Sequence, residues 1–160
     1  MDQRLEPMLA QFELNVRLLL NCVADLDDSQ MTRHPVSELN SAAFLVAHLI
    51  DTRHYMLGIL GRQAENPVAR YVADARSMAD VRELPPKVAL LAAWQDVAAL
   101  LRVALADVDD ATLAKATQQL PGSDGTVLGA LYFLLVHEGY HIGQLSFIRR
   151  IYGLPGMKYS

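Results

Sequence analysis

The chain of 160 residues has one cysteine, Cys22, so an internal disulfide is excluded. Nothing at its start is built like a signal peptide, because Asp2, Arg4 and Glu6 come before any apolar run. No stretch reaches the roughly 18 uninterrupted apolar residues of a membrane span; the run over residues 16–23 is broken by Arg17 and Asn21. Clusters of Lys and Arg are also missing. With 14 basic against 18 acidic residues and a formal net charge of -4, there is no electrostatic footprint for a phosphate backbone, and nucleic acid is not an expected partner. Strand alternation, internal repeats and low-complexity tracts are absent as well. The expectation is a soluble protein of the reducing cytoplasm, with neither membrane nor nucleic acid as partner.

What the chain has is apolar surface at helical spacing. A hydrophobic content of 52% is enough for one full core, and residues 1–160 read as a single domain. Leu5, Met8, Leu9, Phe12, Val16, Leu19, Leu20, Val23 and Leu26 recur at three and four and predict a first helix that ends near Asp27-Asp28-Ser29. Cys22 falls on its packed face and reads as core. A second helix, capped by Ser37 or Asn40, runs to about Leu60 and stops at Gly61. Its outer side is also apolar, with Val46, Leu49, Ile50 and Leu57 off the stripe of Phe44, His48, Thr52, Tyr55 and Ile59, which predicts a homodimer interface. Residues 62–86 form a long polar connection, with a short helix expected after Ser77. Pro85-Pro86 then starts a third helix marked by Val88, Leu91, Trp94, Ala98, Leu101, Leu105 and Val108. A loop over residues 109–124 leads to Thr126, which can cap a fourth helix running to Tyr152 before Gly153 and Pro155. The expected fold is all-α: a four-helix bundle with a long connection between helices two and three, not bound to simple up-and-down wiring.

His137 and His141, in the sequence H-E-G-Y-H, carry the chemistry. Four-residue spacing stacks two imidazoles on one helix face, on or beside the stripe of Val127, Leu131, Leu134, Leu145 and Ile148. Two buried rings need partners, and a cation shared with a third ligand would supply one. His48 is the natural third ligand, on the stripe with Phe44 and Tyr55. His54 lies about 240° further round the same helix, and His34 precedes Pro35 in a turn; both are expected in solvent. Three neutral imidazoles leave an open position for water or substrate, with zinc favoured and nickel, manganese or iron as alternatives. Asp51, one turn after His48, is expected to hold the second ring nitrogen of His48, with Glu138 as the other carboxylate candidate.

The letters also spell H-E-x-x-H, which would make Glu138 a general base, yet no histidine follows His141 to complete a metalloprotease site. A metal-free alternative stands beside these readings, in which the histidines hydrogen-bond Tyr132, Tyr140 or Tyr55 and backbone carbonyls. Spacing alone leaves both open. Gly139 and Gly143 read as small residues that admit a neighbouring helix, Gln144 as cavity-lining or solvated, and Arg149 and Arg150 as charges opposing the helix dipole.

The stretch Phe133-Leu134-Leu135-Val136-His137-Glu138-Gly139-Tyr140-His141-Ile142-Gly143-Gln144-Leu145, followed by Arg149-Arg150-Ile151-Tyr152-Gly153-Leu154-Pro155-Gly156, together with Ala47-His48-Leu49-Ile50-Asp51, resembles the DinB-like superfamily. That superfamily includes the YfiT-type metal-dependent hydrolases, bacillithiol transferases and mycothiol-dependent maleylpyruvate isomerases. The resemblance implies a DinB/YfiT-like four-helix bundle, often dimeric, with His48, His137 and His141 as ligands of a divalent metal. It further implies that the metal lowers the pKa of a low-molecular-weight thiol, whose thiolate attacks or isomerises an electrophile. The expected activity is a thiol-dependent S-transferase or related detoxification, with Tyr140 and Gln144 contacting thiol or substrate and the 62–86 connection over the opening. The competing expectation is a non-catalytic helical dimer or stress-response interaction module, its histidines structural or binding an adventitious ion.

Overall fold

The computed structural model describes residues 2–37, 39–72 and 83–159. Among them there are seven helices and no strand: α1 (Glu6–Val23), α2 (Asp28–Thr32), α3 (Ala42–Ile59), α4 (Ala69–Val72), α5 (Lys87–Asp107), α6 (Asp110–Leu113) and α7 (Val127–Ile151). The four long ones are the four expected from the apolar period. Each packs on two neighbours: α1 lies between α5 and α7, and α3 lies between the same two helices on the opposite side. Consecutive long helices α1 and α3 are therefore diagonal across the bundle, as are α5 and α7. The wiring is not a simple up-and-down succession.

The helix ends follow local chemistry. The segment Asp27-Asp28-Ser29, read from sequence as the end of the first helix, instead begins α2. Asp27 Oδ1 accepts from Gln30 N (2.7 Å) and Gln30 Oε1 accepts from Asp27 N (3.0 Å), a reciprocal capping box. The cap of α3 is Ser41 rather than Ser37 or Asn40, its Oγ accepting from Phe44 N (3.2 Å). Gly61, at φ 74°, then turns the chain so that Arg62 N reaches Leu57 O (2.8 Å). The 62–86 connection contains α4, and the short helix expected after Ser77 lies outside the described residues. The 109–124 loop holds one further turn, α6, capped by Asp109 through Thr112 N (2.8 Å). Thr126 caps α7 as expected, accepting from Gly129 N (3.0 Å).

The inner face of α3 departs from expectation. Val46, Leu49, Ile50 and Leu57, assigned from sequence to an outer face, are buried within the chain. A helix flanked by α5 on one side and α7 on the other needs apolar residues over most of its girth. Its broad hydrophobicity is thus satisfied inside one copy, and a homodimer would have to use another surface. The stripe of Phe44, His48 and Tyr55 is the outer one, with Tyr55 exposed. Helix α5 is long and apolar enough to cross a membrane by length and composition. It nevertheless turns Leu90, Trp94, Val97, Leu101 and Leu105 into the core. Cys22 is buried as expected, and burial pushes its thiol up to about 11.

A charged pair sits in the middle of this apolar core. Arg53, 1% exposed, donates from Nε to Glu138 Oε2 (2.8 Å) and from Nη2 to Glu138 Oε1 (2.7 Å); Glu138 is 0% exposed. The same Nη2 donates to Phe12 O (3.1 Å), and the guanidinium lies 3.8 Å from the Trp94 ring centroid. One side chain thereby joins α3, α7, α1 and α5. Such a pair adds little net stability, but removing one partner strands a charge in a dry interior. Arg53→Met should therefore cost about 3–5 kcal/mol in urea unfolding, and Arg53→Met combined with Glu138→Leu should regain most of that loss. An unchanged midpoint for the single variant would contradict this account.

Candidate metal centre

The seam between α3 and α7 carries the histidines. Arg53 pairs with Glu138, while His48 meets His137 and His141. Leu45, earlier on α3, lines one cleft with Gly143 and Ile148, later on α7, so the two helices run antiparallel. His137 and His141 are one turn apart on α7, and His48 faces them from α3. His48 Nε2 lies 3.2 Å from His137 Nε2, and His141 Nε2 lies 3.0 Å from the same atom. The three rings are close to mutually perpendicular, at 70°, 83° and 80°, so their nitrogen edges converge. All three are half-buried at the rim of the bundle rather than in its core. Phe44 stacks on His48 at 6.1 Å and Phe133 flanks His137 at 6.0 Å, walling the cluster with apolar rings.

The donor set fits a metal ion. Gln144 Oε1 accepts from His141 Nδ1 (2.6 Å), which places the proton on Nδ1 and leaves the Nε2 lone pair facing His137. His137 Nε2 has room for at most one proton, yet it faces nitrogens on both sides. His137 Nδ1, meanwhile, is buried and makes no hydrogen bond. A cation among the three Nε2 atoms removes the clash of lone pairs. Nitrogens on a four-coordinate zinc with bonds of about 2.0–2.1 Å lie roughly 3.3 Å apart, close to the two separations above. Desolvation, then the neighbouring His141 and His137, pushes His48 down to about 4. Desolvation, then His141, pushes His137 to about 4. Burial lowers His141 as well, against the bond to Gln144. All three are neutral at pH 7, the state a metal ligand requires. His48, His137 and His141 could hold a metal ion.

Other residues fall differently from expectation. Asp51 does not orient His48: its Oδ1 accepts from Asn66 Nδ2 (2.7 Å), tying α3 to the chain ahead of α4. Glu138 points into the core toward Arg53, so it is neither a general base nor a support for His137. No tyrosine hydrogen-bonds the cluster among the described residues. Tyr140 stands beside His141, with ring centroids 5.1 Å apart, and its hydroxyl accepts from Gln144 Nε2 (3.3 Å). Gln144 is thus the residue that orients a ligand candidate, and it links that residue to Tyr140. His34 is exposed, its Nδ1 2.8 Å from Leu39 O, and His54 is half-buried away from the cluster. At Gly139 and Gly143 an added Cβ would meet nothing within 4 Å among the described residues, so neither glycine admits a closely packed helix there. Arg149 does more than oppose a dipole: it is buried, donates to Pro155 O (2.6 Å) and Asn21 O (3.4 Å), and pairs with Asp25. Sequence reasoning passed over Arg53. The signal was there: an arginine inside an apolar helix must find a carboxylate, and Glu138 was available.

A search of curated proteins finds no match to this chain. The sequence model of the DinB superfamily matches residues 11–145, from within α1 through the histidines of α7.

The neutral histidines make the metal-free protein acid-sensitive. Unfolded, each imidazole titrates near 6.5; folded, His48 and His137 titrate at about 4. Between these values the unfolded chain binds more protons, so stability present above pH 6.5 is lost as the pH falls toward 4. Urea unfolding of chelator-treated protein should show this slope, and His48→Gln/His137→Gln/His141→Gln should flatten it. A residual slope from His54, whose titration burial also lowers, is expected. Equal slopes in the two proteins would refute the assignment.

Proposed function

The chain belongs to the DinB superfamily, and from that premise we propose that it is a metal-dependent enzyme of thiol chemistry, most simply an S-transferase acting on small electrophiles. The observation that supports this reading is the convergence of three neutral imidazole nitrogens at a half-buried seam. His48, His137 and His141 would hold the ion, with zinc favoured by an all-nitrogen set and nickel, manganese or iron able to take the same ligands. A histidine-bound divalent ion supplies one thing, the deprotonation of a bound thiol or water at neutral pH.

The chain's own residues do the rest. Because His48, His137 and His141 carry no charge, they would leave the positive charge of a bound ion unneutralised. Gln144 holds the proton on His141 Nδ1 and keeps Nε2 aimed at the site. Phe44 and Phe133 exclude water from two sides and so strengthen the local field. The Tyr140 hydroxyl, exposed at the rim and held by Gln144, is placed to contact the polar part of an incoming thiol or substrate. Arg53 and Glu138 take no part in the chemistry; they set the register of the two helices that present the ligands.

Protein purified without a histidine tag should carry close to one equivalent of divalent metal, and His137→Ala should lose it while remaining folded by circular dichroism. With cobalt in the site, titration with low-molecular-weight thiols should add a thiolate charge-transfer band. Absence of stoichiometric metal would remove the basis of the reading. A cobalt spectrum unmoved by every thiol would leave a metal site but exclude thiolate chemistry.

A further inference from the structure

The seam between α3 and α7 continues past the histidines toward the start of α3. One turn on, it opens into a cleft of about 340 Å³. Leu45 and Ile148 are buried and form its floor, while Tyr140 (64% exposed) and Phe147 (61% exposed) stand as a wall. Gly143 lines it with no side chain, and an added Cβ there would meet nothing within 4 Å. The volume is that of a small-molecule pocket. Its lining is mainly apolar, and the polar groups lie toward the cluster: Gln144 bonds both His141 Nδ1 and the Tyr140 hydroxyl.

The geometry points to this cleft as the pocket for the apolar part of the substrate, an aromatic ring or short carbon chain attached to a polar reacting group that lies at the histidines. The orientation rests on the metal-enzyme reading; the pocket itself does not. Along α7 the lining runs from Tyr140, beside His141, to Ile148, seven residues beyond it, and so reaches ~10 Å from the cluster at 1.5 Å per residue. A ring on a short linker spans that distance. Two buried aliphatic residues and a tyrosine and phenylalanine wall reward apolar surface, while the shared amide of Gln144 selects for a polar group at the junction. Gly143 sets the width, since any larger residue would occupy the space.

Para-fluorobenzyl alcohol, followed by fluorine NMR in chelator-treated protein, probes the cleft without a metal. Saturable binding is expected, weakened at least tenfold (about 1.4 kcal/mol) by Gly143→Leu. That variant removes a glycine from a helix interior, so it strengthens α7 rather than unfolding it. Phe147→Ala, which takes away an exposed wall, should weaken binding independently, and neither variant should change the metal content. Equal affinity in the wild type and both folded variants, or no saturable binding at all, overturns the assignment. So does a wild-type dimer by sedimentation that Gly143→Leu dissociates, which would give the cleft to a second copy. Gly143-dependent binding in a protein that carries no stoichiometric metal as purified, before any chelator, would support the pocket while removing the metal-enzyme reading.

Discussion

The bundle is organised around a charged pair that the apolar core cannot solvate. Arg53 has no water to turn to, so its guanidinium must be satisfied by Glu138, by the Phe12 carbonyl and by the face of Trp94. Those partners come from the three other long helices. Sliding α3 along α7 by one turn would bring apolar surface against both charges, and the cost of an unpaired buried ion forbids it. Non-directional packing leaves neighbouring registers of two apolar helices close in energy, whereas a bidentate pair admits one. The same register sets His48 opposite His137 and His141.

Helix α7 keeps two polar jobs apart by angle. Glu138 follows His137 directly, and successive residues are about 100° apart on a helix, so one points inward to Arg53 while the other emerges at the seam. The letters H-E-x-x-H therefore mark two different faces. A carboxylate in that inward position stabilises the register and never meets a substrate. The carbonyl oxygen of Gln144, three residues beyond His141, does the supporting work instead.

Much of this was legible in the sequence, and the gaps have physical causes. The four long helices followed from apolar period and caps, and His48, His137 and His141 from spacing on two of them. Helix α3 was misread by face because it is apolar nearly all round: periodicity cannot tell inside from outside on a helix covered by two neighbours. That ambiguity makes Val46 and Leu49 read as an outer surface, although both are buried. Asp51 lies one turn from His48, but its carboxylate accepts instead from Asn66, 15 residues further on and beyond the end of α3. Pairs such as Arg53 with Glu138 and Arg149 with Asn21 lie outside any local rule, since they depend on which helices become neighbours.

Placing the histidines at the rim resolves two opposed requirements. A ligand set needs enough burial to stay neutral, and burial in the seam pushes His48 and His137 down to about 4. An open coordination position, however, needs access, which a core site would deny. Half-burial between two rigid helices meets both: α3 and α7 fix the rings from below through the buried pair, and the outer edge stays open. The cleft along the same seam extends this division. Its floor belongs to the core and its wall to the surface, so Phe147 and Gly143 can vary without disturbing the packing that aligns the histidines. The convergence of the histidines is thereby tied to the fold, while the shape of the cleft is tied to residues the fold does not need.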